Sequence, residues 1–302
     1  MTEFPERDLP PGRHRLLKEH LMTEIRQAFD PAPARAARKP WLRPALLAGA
    51  VAAVAAVALT VAVPSGPSGA PAASNEAVAL LEDIALAAEK SGAPDGIRDD
   101  QFVYIKSRDA YTTRTNGGPE KLDPVRDREI WLSVDGTREG LLEEDRPGNE
   151  HVPLEPDAPD NERATNYRAL SGLPTDPDEM RDWLYRTAAA QVDAERPDRD
   201  HAAFVLFGDL IRESLMPPEV GAALYRAAAM IPGVEVVHGV RDSVGREGVA
   251  ITRAGGDGRE ELIFDEKTFT FLGERVLDAD GTVDGISAVV RRAVVDRAGE
   301  RP

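Results

Sequence analysis

The pattern of apolar and polar positions divides the chain at residues 45–63, a stretch without any charged side chain. At about 1.5 Å of rise per residue, a helix of this length spans roughly 28 Å, close to the ~30 Å hydrocarbon core of a bilayer. We therefore predict one transmembrane helix here, with a buried helix of a soluble protein as the alternative. The side chains that mark the span are Ala45, Leu46, Leu47, Val51, Val54, Val57, Leu59 and Val63.

Basic residues crowd only the N-terminal flank of this stretch. Arg35, Arg38, Lys39 and Arg43 precede it, whereas Lys and Arg are absent after it until Lys90. Because positively charged flanks stay on the cytoplasmic side of a membrane, we expect the N-terminus in the cytoplasm. The chain is thus predicted to cross the cell membrane once, with its C-terminal domain extracytoplasmic.

A cleaved export signal is the other interpretation of the same stretch, because Ala70-Pro71-Ala72 offers small residues at a cleavage position. The segment before the apolar stretch would then exceed forty residues, far more than a usual export signal has. We therefore expect the anchor to be retained. Residues 64–74, which are rich in Pro, Gly and Ser, are predicted to form a linker.

The cytoplasmic tail, residues 1–44, carries an apolar stripe with helical spacing. Leu17, Leu21, Ile25 and Phe29 recur every four residues and fall on one face of a predicted helix. A tail of this size cannot bury such a face within itself, so a partner protein or the membrane surface is expected to cover it. A partly ordered helix without a partner is the alternative.

Residues 75–302 show helical and strand periodicities that alternate in blocks. Helices are predicted over residues 75–90, 176–190, 204–215 and 220–231. Strands are predicted at 102–105, 111–115, 129–134, 137–142, 234–237, 248–252, 261–264, 269–277 and 286–295. Asp135-Gly136 predicts a two-residue hairpin, and residues 145–163 a long exposed loop. The order of helix, strands, helices and strands indicates an α+β domain in which helices cover one face of an antiparallel sheet.

Charge is distributed unevenly between these parts. The chain has a formal net charge of -16, yet residues 1–44 hold nine basic and six acidic side chains, which leaves about -19 for the remainder. Because such a surface repels a phosphate backbone, nucleic acid is not expected as a partner. The absence of Cys excludes disulfides, thiolate metal sites, a Cys nucleophile and a lipidated Cys anchor.

No motif of catalytic or cofactor-binding residues stands out. The sequence lacks a nucleophile elbow, a phosphate loop, a dinucleotide fingerprint and a paired-histidine zinc motif. In the tail, His14 and His20 do not share a helix face, while His151, His201 and His238 fall in three different settings. We therefore predict no enzyme activity, no cofactor, no metal and no catalytic residue.

The acidic segment 278–285 is the sharpest metal candidate, because closely spaced carboxylates are what Ca²⁺ requires. A helix-loop-helix calcium loop needs Gly at its sixth position and Glu at its twelfth, where this chain has Val283 and Val289. A hairpin turn between Leu277 and Ile286 is the better interpretation.

Several short segments resemble a family of single-span actinobacterial membrane proteins of uncharacterised function, often encoded beside extracytoplasmic-function sigma factors. These segments are residues 9–18 (LPPGRHRLLK), 102–105 (FVYI), 128–132 (REIWL), 173–178 (LPTDPD), 215–220 (LMPPEV) and 261–265 (ELIFD). The resemblance implies a sigma factor as the cytoplasmic partner of the tail.

The element order of residues 75–302 is also similar to the open half-barrel shared by lipoprotein carrier proteins and the periplasmic regulator of envelope-stress sigma signalling. This resemblance implies a curved sheet whose concave apolar face accepts lipid or a lipidated peptide. We therefore expect a non-enzymatic, membrane-anchored envelope protein that acts as a sensor or regulator linked to such a sigma factor. A membrane-tethered lipid or lipoprotein carrier is the alternative.

Overall fold

The tail and the apolar stretch lie outside the part of the chain that the computed structural model describes, which is residues 71–92, 96–113, 121–157, 164–189, 192, 198–255 and 258–302. The tail face within residues 17–29, the transmembrane stretch 45–63 and the domain boundaries therefore stay predictions. Within the described residues, no helix has both the length and the apolar character needed to cross a bilayer.

One curved antiparallel sheet of ten strands runs through the described residues. The strands are β1 (Phe102–Thr113), β2 (Lys121–Leu122), β3 (Arg126–Ser133), β4 (Gly140–Glu144), β5 (Val152–Leu154), β6 (Val234–Arg241), β7 (Glu247–Gly255), β8 (Gly258–Phe264), β9 (Phe271–Asp278) and β10 (Val283–Val295). Their order is β5-β4-β3-β1-β10-β9-β8-β7-β6, and β2 pairs with the end of β1. The pairing of β1 with β10 therefore joins the N-terminal and C-terminal halves of the sheet.

Five helices lie in the described residues and cover one face of this sheet. They are α1 (Asn75–Lys90), α2 (Tyr167–Ser171), α3 (Pro177–Ala188), α4 (Arg199–Arg212) and α5 (Pro218–Ala228). Helix α1 packs against α5, and α3 packs against both α4 and α5. The predicted α+β class, with helices on an antiparallel sheet, is confirmed.

Capping side chains mark the starts of two helices, which begin within one residue of the starts predicted at 75 and 176. The hydroxyl of Ser74 accepts a hydrogen bond from the backbone N–H of Ala77 at 3.1 Å and so begins α1. The carboxylate of Asp176 accepts from the N–H groups of Asp178 and Glu179, each at 3.0 Å, and begins α3. Each cap satisfies N–H groups that have no partner within the helix.

The main core lies between the helices and the sheet. Phe204 and Phe207 of α4 are fully buried there beside Phe264 of β8. Aromatic contacts continue across the layer, with ring centroids 5.9 Å apart for Phe207 and Tyr225 and 5.5 Å apart for Phe264 and Phe271. Because burial of each such ring contributes about 1.5–3 kcal/mol, apolar contacts mainly hold the helices on this face.

The opposite face of the sheet carries two smaller apolar clusters. Successive side chains of a strand point to opposite faces, so Val103 and Ile105 enter the main core while their neighbours point away from it. The outer-face cluster, as we call the first, consists of Phe102, Tyr104, Trp131, Leu141 and Val295. The second consists of Val240, Ala250, Ile263 and Leu272.

Two strands predicted separately, at 102–105 and 111–115, are one continuous strand, β1. The polar residues between them, Ser107 and Asp109, are buried on the same face as Ile105. In the pairing with β10 the register shifts between Lys106 and Ser107, where Val290 is the extra residue on β10, while the pairing of β1 with β3 continues without a shift. The prediction was wrong because buried polar residues interrupt the apolar alternation without interrupting the strand.

The predicted two-residue hairpin at Asp135-Gly136 is wrong in length, since β3 ends at Ser133 and β4 begins at Gly140. The Asp135 carboxylate accepts hydrogen bonds from the hydroxyl of Ser133 at 2.8 Å and the N–H of Thr137 at 3.0 Å, which stabilises a wider turn. The predicted loop 145–163 contains strand β5, which pairs with β4. Helix α2 has no counterpart in the sequence prediction.

Candidate functional site

A group of charged side chains lies buried where the C-terminal end of α4 meets the sheet. The guanidinium Nε of Arg212, the last residue of α4, lies 2.8 Å from a carboxylate oxygen of Glu274 on β9. A terminal nitrogen of Arg212 lies 3.4 Å from the carboxylate of Glu260 on β8. Glu274 is 2% exposed and Glu260 9%, so both carboxyl groups lie inside the protein. Asp109 of β1 is also buried, and the charge of Glu274 acts on its carboxyl group, so we call these four residues the interior charge cluster.

A glycine in α4 provides the space for this contact. A Cβ atom on Gly208, one turn before Arg212, would lie 2.9 Å from a carboxylate oxygen of Glu260. Any larger residue at this position would therefore displace either the helix or Glu260. The helix can approach the sheet this closely because Gly208 has no side chain.

Arg128 of β3 also joins the end of α4 to the sheet, on the side of the interior charge cluster that faces β1. Its guanidinium lies 2.6 Å from the carboxylate of Glu213 and 3.1 Å from that of Glu144 on β4. Asp109 of β1 is 7% exposed, and its Oδ2 accepts a hydrogen bond from Ser107 at 3.0 Å. Its other oxygen has no hydrogen-bond partner among the described residues.

The carbonyl end of α4 is capped by an arginine from the sheet. Arg292 of β10 donates to the backbone carbonyls of Ile211 at 2.7 Å and Arg212 at 3.1 Å. Its guanidinium also lies 5.7 Å from the ring centre of Phe271. Because terminal carbonyls have no partner within a helix, this cation satisfies them and favours the helix dipole.

Burial changes the proton affinity of the cluster. It raises the pKa of Asp109 to about 6, although the charge of Arg128 and the hydrogen bond from Ser107 oppose the shift. Burial and the neighbouring charge of Glu274 also raise the pKa of Glu260 well above its ordinary value. For Arg212, burial lowers the pKa, but the carboxylates of Glu274, Asp209 and Glu260 outweigh it and raise the pKa. The cluster can therefore take up protons in mildly acidic surroundings while it joins α4 to the sheet.

The three histidines of the domain and the acidic segment 278–285 are not brought together. His151 precedes β5 and His238 lies on β6, at opposite edges of the sheet, while His201 lies in the first turn of α4. The predicted hairpin after Leu277 is confirmed, since β9 ends at Asp278 and β10 begins at Val283. Within the described part of the chain, no three His, Asp or Glu side chains are grouped to hold a metal ion.

The interior charge cluster was missed by sequence reasoning. Its one signal was the presence of charged residues at strand positions with an apolar or aromatic residue two positions further on, as at Asp109 before Tyr111 and Glu260 before Leu262. Such breaks are common on solvated faces, so the sequence alone does not distinguish them from buried charges.

Comparison with known proteins gives only weak likenesses. No protein-family model and no curated protein matches the chain. The MucA/MucB complex of Pseudomonas aeruginosa matches with 14% identity and a TM-score of 0.26, over 72% of this chain and 57% of that chain. A crystal structure of MucB matches with 13% identity and a TM-score of 0.26, over 76% and 61%. A LolA superfamily protein of Nitrosomonas europaea matches with 10% identity and a TM-score of 0.20, over 74% and 94%.

The chain is thus weakly similar to MucB and to LolA-type proteins, and TM-scores of this size do not establish a common fold. It spans about three fifths of the length of the MucB structures that it matches.

Proposed function

We propose that this chain is a non-enzymatic, membrane-anchored envelope protein that acts as a sensor or regulator linked to an extracytoplasmic-function sigma factor. The observation that carries the proposal is the uncharged stretch 45–63 between a basic tail and a strongly acidic domain. Such an arrangement suits a protein with one functional part on each side of a membrane. The tail helix then contacts the sigma factor, and the domain receives the signal.

Contacts at the start of the domain support this role. The backbone carbonyl of Pro71 accepts from the N–H of Gly233 at 2.7 Å, and the N–H of Ser74 donates to the carbonyl of Val234 at 2.9 Å. The last residues of the predicted linker are therefore bonded to edge strand β6 rather than free. Movement of β6 or α1 would reach the linker directly.

Helix α1 is in turn joined to the rest of the domain. Arg226 of α5 pairs with Glu82 of α1 at 2.8 Å and with Glu89 at 2.5 Å. The buried face of α1, which includes Leu81 and Ile84, lies in the main core. The path from the core through α1 to the linker is thus continuous.

Co-purification from membranes tests the regulatory part of the proposal. The full-length chain would be expressed with each extracytoplasmic-function sigma factor of its host in turn and solubilised in mild detergent. We expect one sigma factor to be retained, and Ile25→Asp to reduce retention at least tenfold because a charge enters the apolar tail face. Thr23→Asp, which adds the same charge on the polar face of the predicted helix, is the matched control and should bind normally.

Two results would contradict the proposal. Retention of no sigma factor, or equal retention by the wild type, Ile25→Asp and Thr23→Asp, would remove the tail as a binding surface. A mature protein that begins near Ala73, measured by mass spectrometry of material from cells, would remove the anchor.

A second candidate function is binding of lipid or a lipidated peptide by the membrane-tethered domain. It is favoured by the apolar side of the sheet beneath the helices, where Ile251 and Leu262 are fully buried. Phe204 and Phe207 of α4 occupy the same layer, so a lipid would have to displace α4. Mass spectrometry of lipids extracted from the purified chain decides this point, with an unrelated single-span protein as the background. Lipid in a fixed molar ratio supports a carrier, and background amounts exclude it.

A further inference from the structure

The outer-face cluster is covered by the last residues of the chain. Trp131 of β3 is completely buried, although it lies on the side of the sheet away from the helices. Its indole N–H donates to the backbone carbonyl of Glu300 at 2.6 Å. A Cβ atom on Gly299, whose φ is +83°, would lie 3.7 Å from Leu141. Residues 297–302, which we call the C-terminal segment, therefore lie over this cluster.

The most developed contact of this segment is made by one arginine. Arg301 donates from two nitrogens to one carboxylate oxygen of Glu129, at 2.8 and 2.6 Å. It also donates to Glu143 at 2.5 Å, and its guanidinium lies 5.5 Å from the ring centre of Trp131. Two carboxylates and an aromatic face around one guanidinium are what specific arginine recognition requires.

The receptor side of this contact is built into the sheet. Glu129 is 8% exposed, and its second oxygen accepts from the hydroxyl of Tyr104 at 2.5 Å. Burial opposes ionisation of Glu129, but the hydrogen bonds from Arg301 and Tyr104 outweigh it and lower its pKa. The Nζ of Lys106, on the same strand as Tyr104, lies 3.6 Å from a carboxylate oxygen of Glu129. Tyr104 and Lys106 of β1 thus orient the Glu129 carboxylate, and Arg301 is the main partner that favours its ionised form.

The ligand side, by contrast, lies at the surface. The Arg301 side chain is 54% exposed, although the side chain of its acceptor Glu129 is only 11% exposed. Asp296, just before the segment, is bonded separately to Arg98 at 2.8 Å and Gln101 at 2.9 Å. The C-terminal segment can therefore detach from the outer-face cluster while these contacts hold the end of β10 in place.

We propose that Glu129, Glu143, Trp131 and Tyr104 form a peptide-recognition site for an arginine-bearing segment of a partner protein, and that the C-terminal segment occupies this site in the free protein. Charge favours such a partner, because a basic segment is attracted to a domain that carries about -19. The intramolecular contact acts as a competitor with an effective concentration of about millimolar. Partner binding then requires displacement of the chain's own Arg301. This proposal does not depend on the cytoplasmic tail.

A peptide-binding measurement tests it. A fluorescent peptide with the sequence of residues 296–302 would be titrated, by anisotropy, with the full chain and with a chain shortened after Asp296, both in detergent micelles. We expect the shortened chain to bind the peptide at least tenfold more tightly than the full chain does. The same peptide with Arg301→Gln should bind at least tenfold more weakly, as should the wild-type peptide to the shortened chain with Glu129→Gln.

Circular dichroism shows whether the shortened chain is folded. If it is not, full-length Arg301→Gln replaces it and should bind the wild-type peptide more tightly than the wild-type chain does. Binding of neither peptide, or equal binding of both, by a folded chain would overturn the proposal. Concentration-dependent dimerisation of the wild-type chain by exchange of its C-terminal segments would assign the site to a second copy and overturn the partner assignment.

Discussion

Replacement of Asp109 by asparagine removes a carboxyl group that the fold holds at an unfavourable position. Burial raises its pKa from 3.8 to about 6. Since one pKa unit corresponds to 1.36 kcal/mol, the complete effect of this shift is about 3 kcal/mol. The folded-state pKa lies above the unfolded one, so this contribution to stability is fully present below about pH 3.8 and is lost as the pH rises through about 6.

The Asp109→Asn variant lacks this titration. About 2 kcal/mol of the wild-type contribution develops between about pH 7.5 and 4.5. We therefore expect the variant to have a higher free energy of unfolding than the wild type at pH 7.5. At pH 4.5 this difference should be smaller by about 2 kcal/mol. Urea unfolding of the full chain in micelles, followed by circular dichroism, measures the difference at each pH.

Glu235→Gln is the matched control, because Glu235 is an exposed strand carboxylate of β6. Because this side chain is exposed, the substitution should change the free energy of unfolding by no more than about 0.5 kcal/mol. If the unfolding free energies of Asp109→Asn and the wild type run parallel between pH 7.5 and 4.5, the burial argument is refuted.

Three further substitutions test packing and charge by the same unfolding measurement. Phe207→Ala should cost about 3–5 kcal/mol because it leaves a cavity in the main core; a loss below about 1 kcal/mol would contradict the burial of this ring. Arg212→Ala should lower the free energy of unfolding by about 3–5 kcal/mol, because Glu274 loses its buried partner. The double variant Arg212→Ala with Glu274→Leu should recover part of this loss. No recovery in the double variant would contradict the pairing. Asp176→Ala should cost about 1 kcal/mol as a lost helix cap, whereas Asp178→Ala, which caps nothing, should cost less.

Much of the domain follows from local sequence. Ser74 and Asp176 begin α1 and α3 through contacts within three residues of themselves, and such contacts need no tertiary structure. Strand periodicity placed β6 to β10, because each strand carries apolar residues on a buried face. These signals were enough for the α+β class and for the sheet with helices on one face.

The failures share one physical cause, which is that the partner of a residue lies far away in sequence. The strand β1 continues through Ser107 and Asp109 because the interior of the folded domain accepts polar groups there. In the same way, Arg212 meets Glu260 and Glu274 only after α4 has packed on the sheet. No local pattern distinguishes these buried charges from solvated ones.

By itself, the sequence determined the uncharged stretch 45–63, the charge difference across it and the order of the main blocks of helices and strands, since these depend on composition and short-range periodicity. Only the tertiary structure decided that β1 pairs with β10, that the linker end bonds to β6, and that Arg301 meets Glu129 across 172 positions of sequence. Each of these contacts joins distant residues whose approach depends on packing of the whole domain. The arginine site on the outer face therefore exists only in the folded protein.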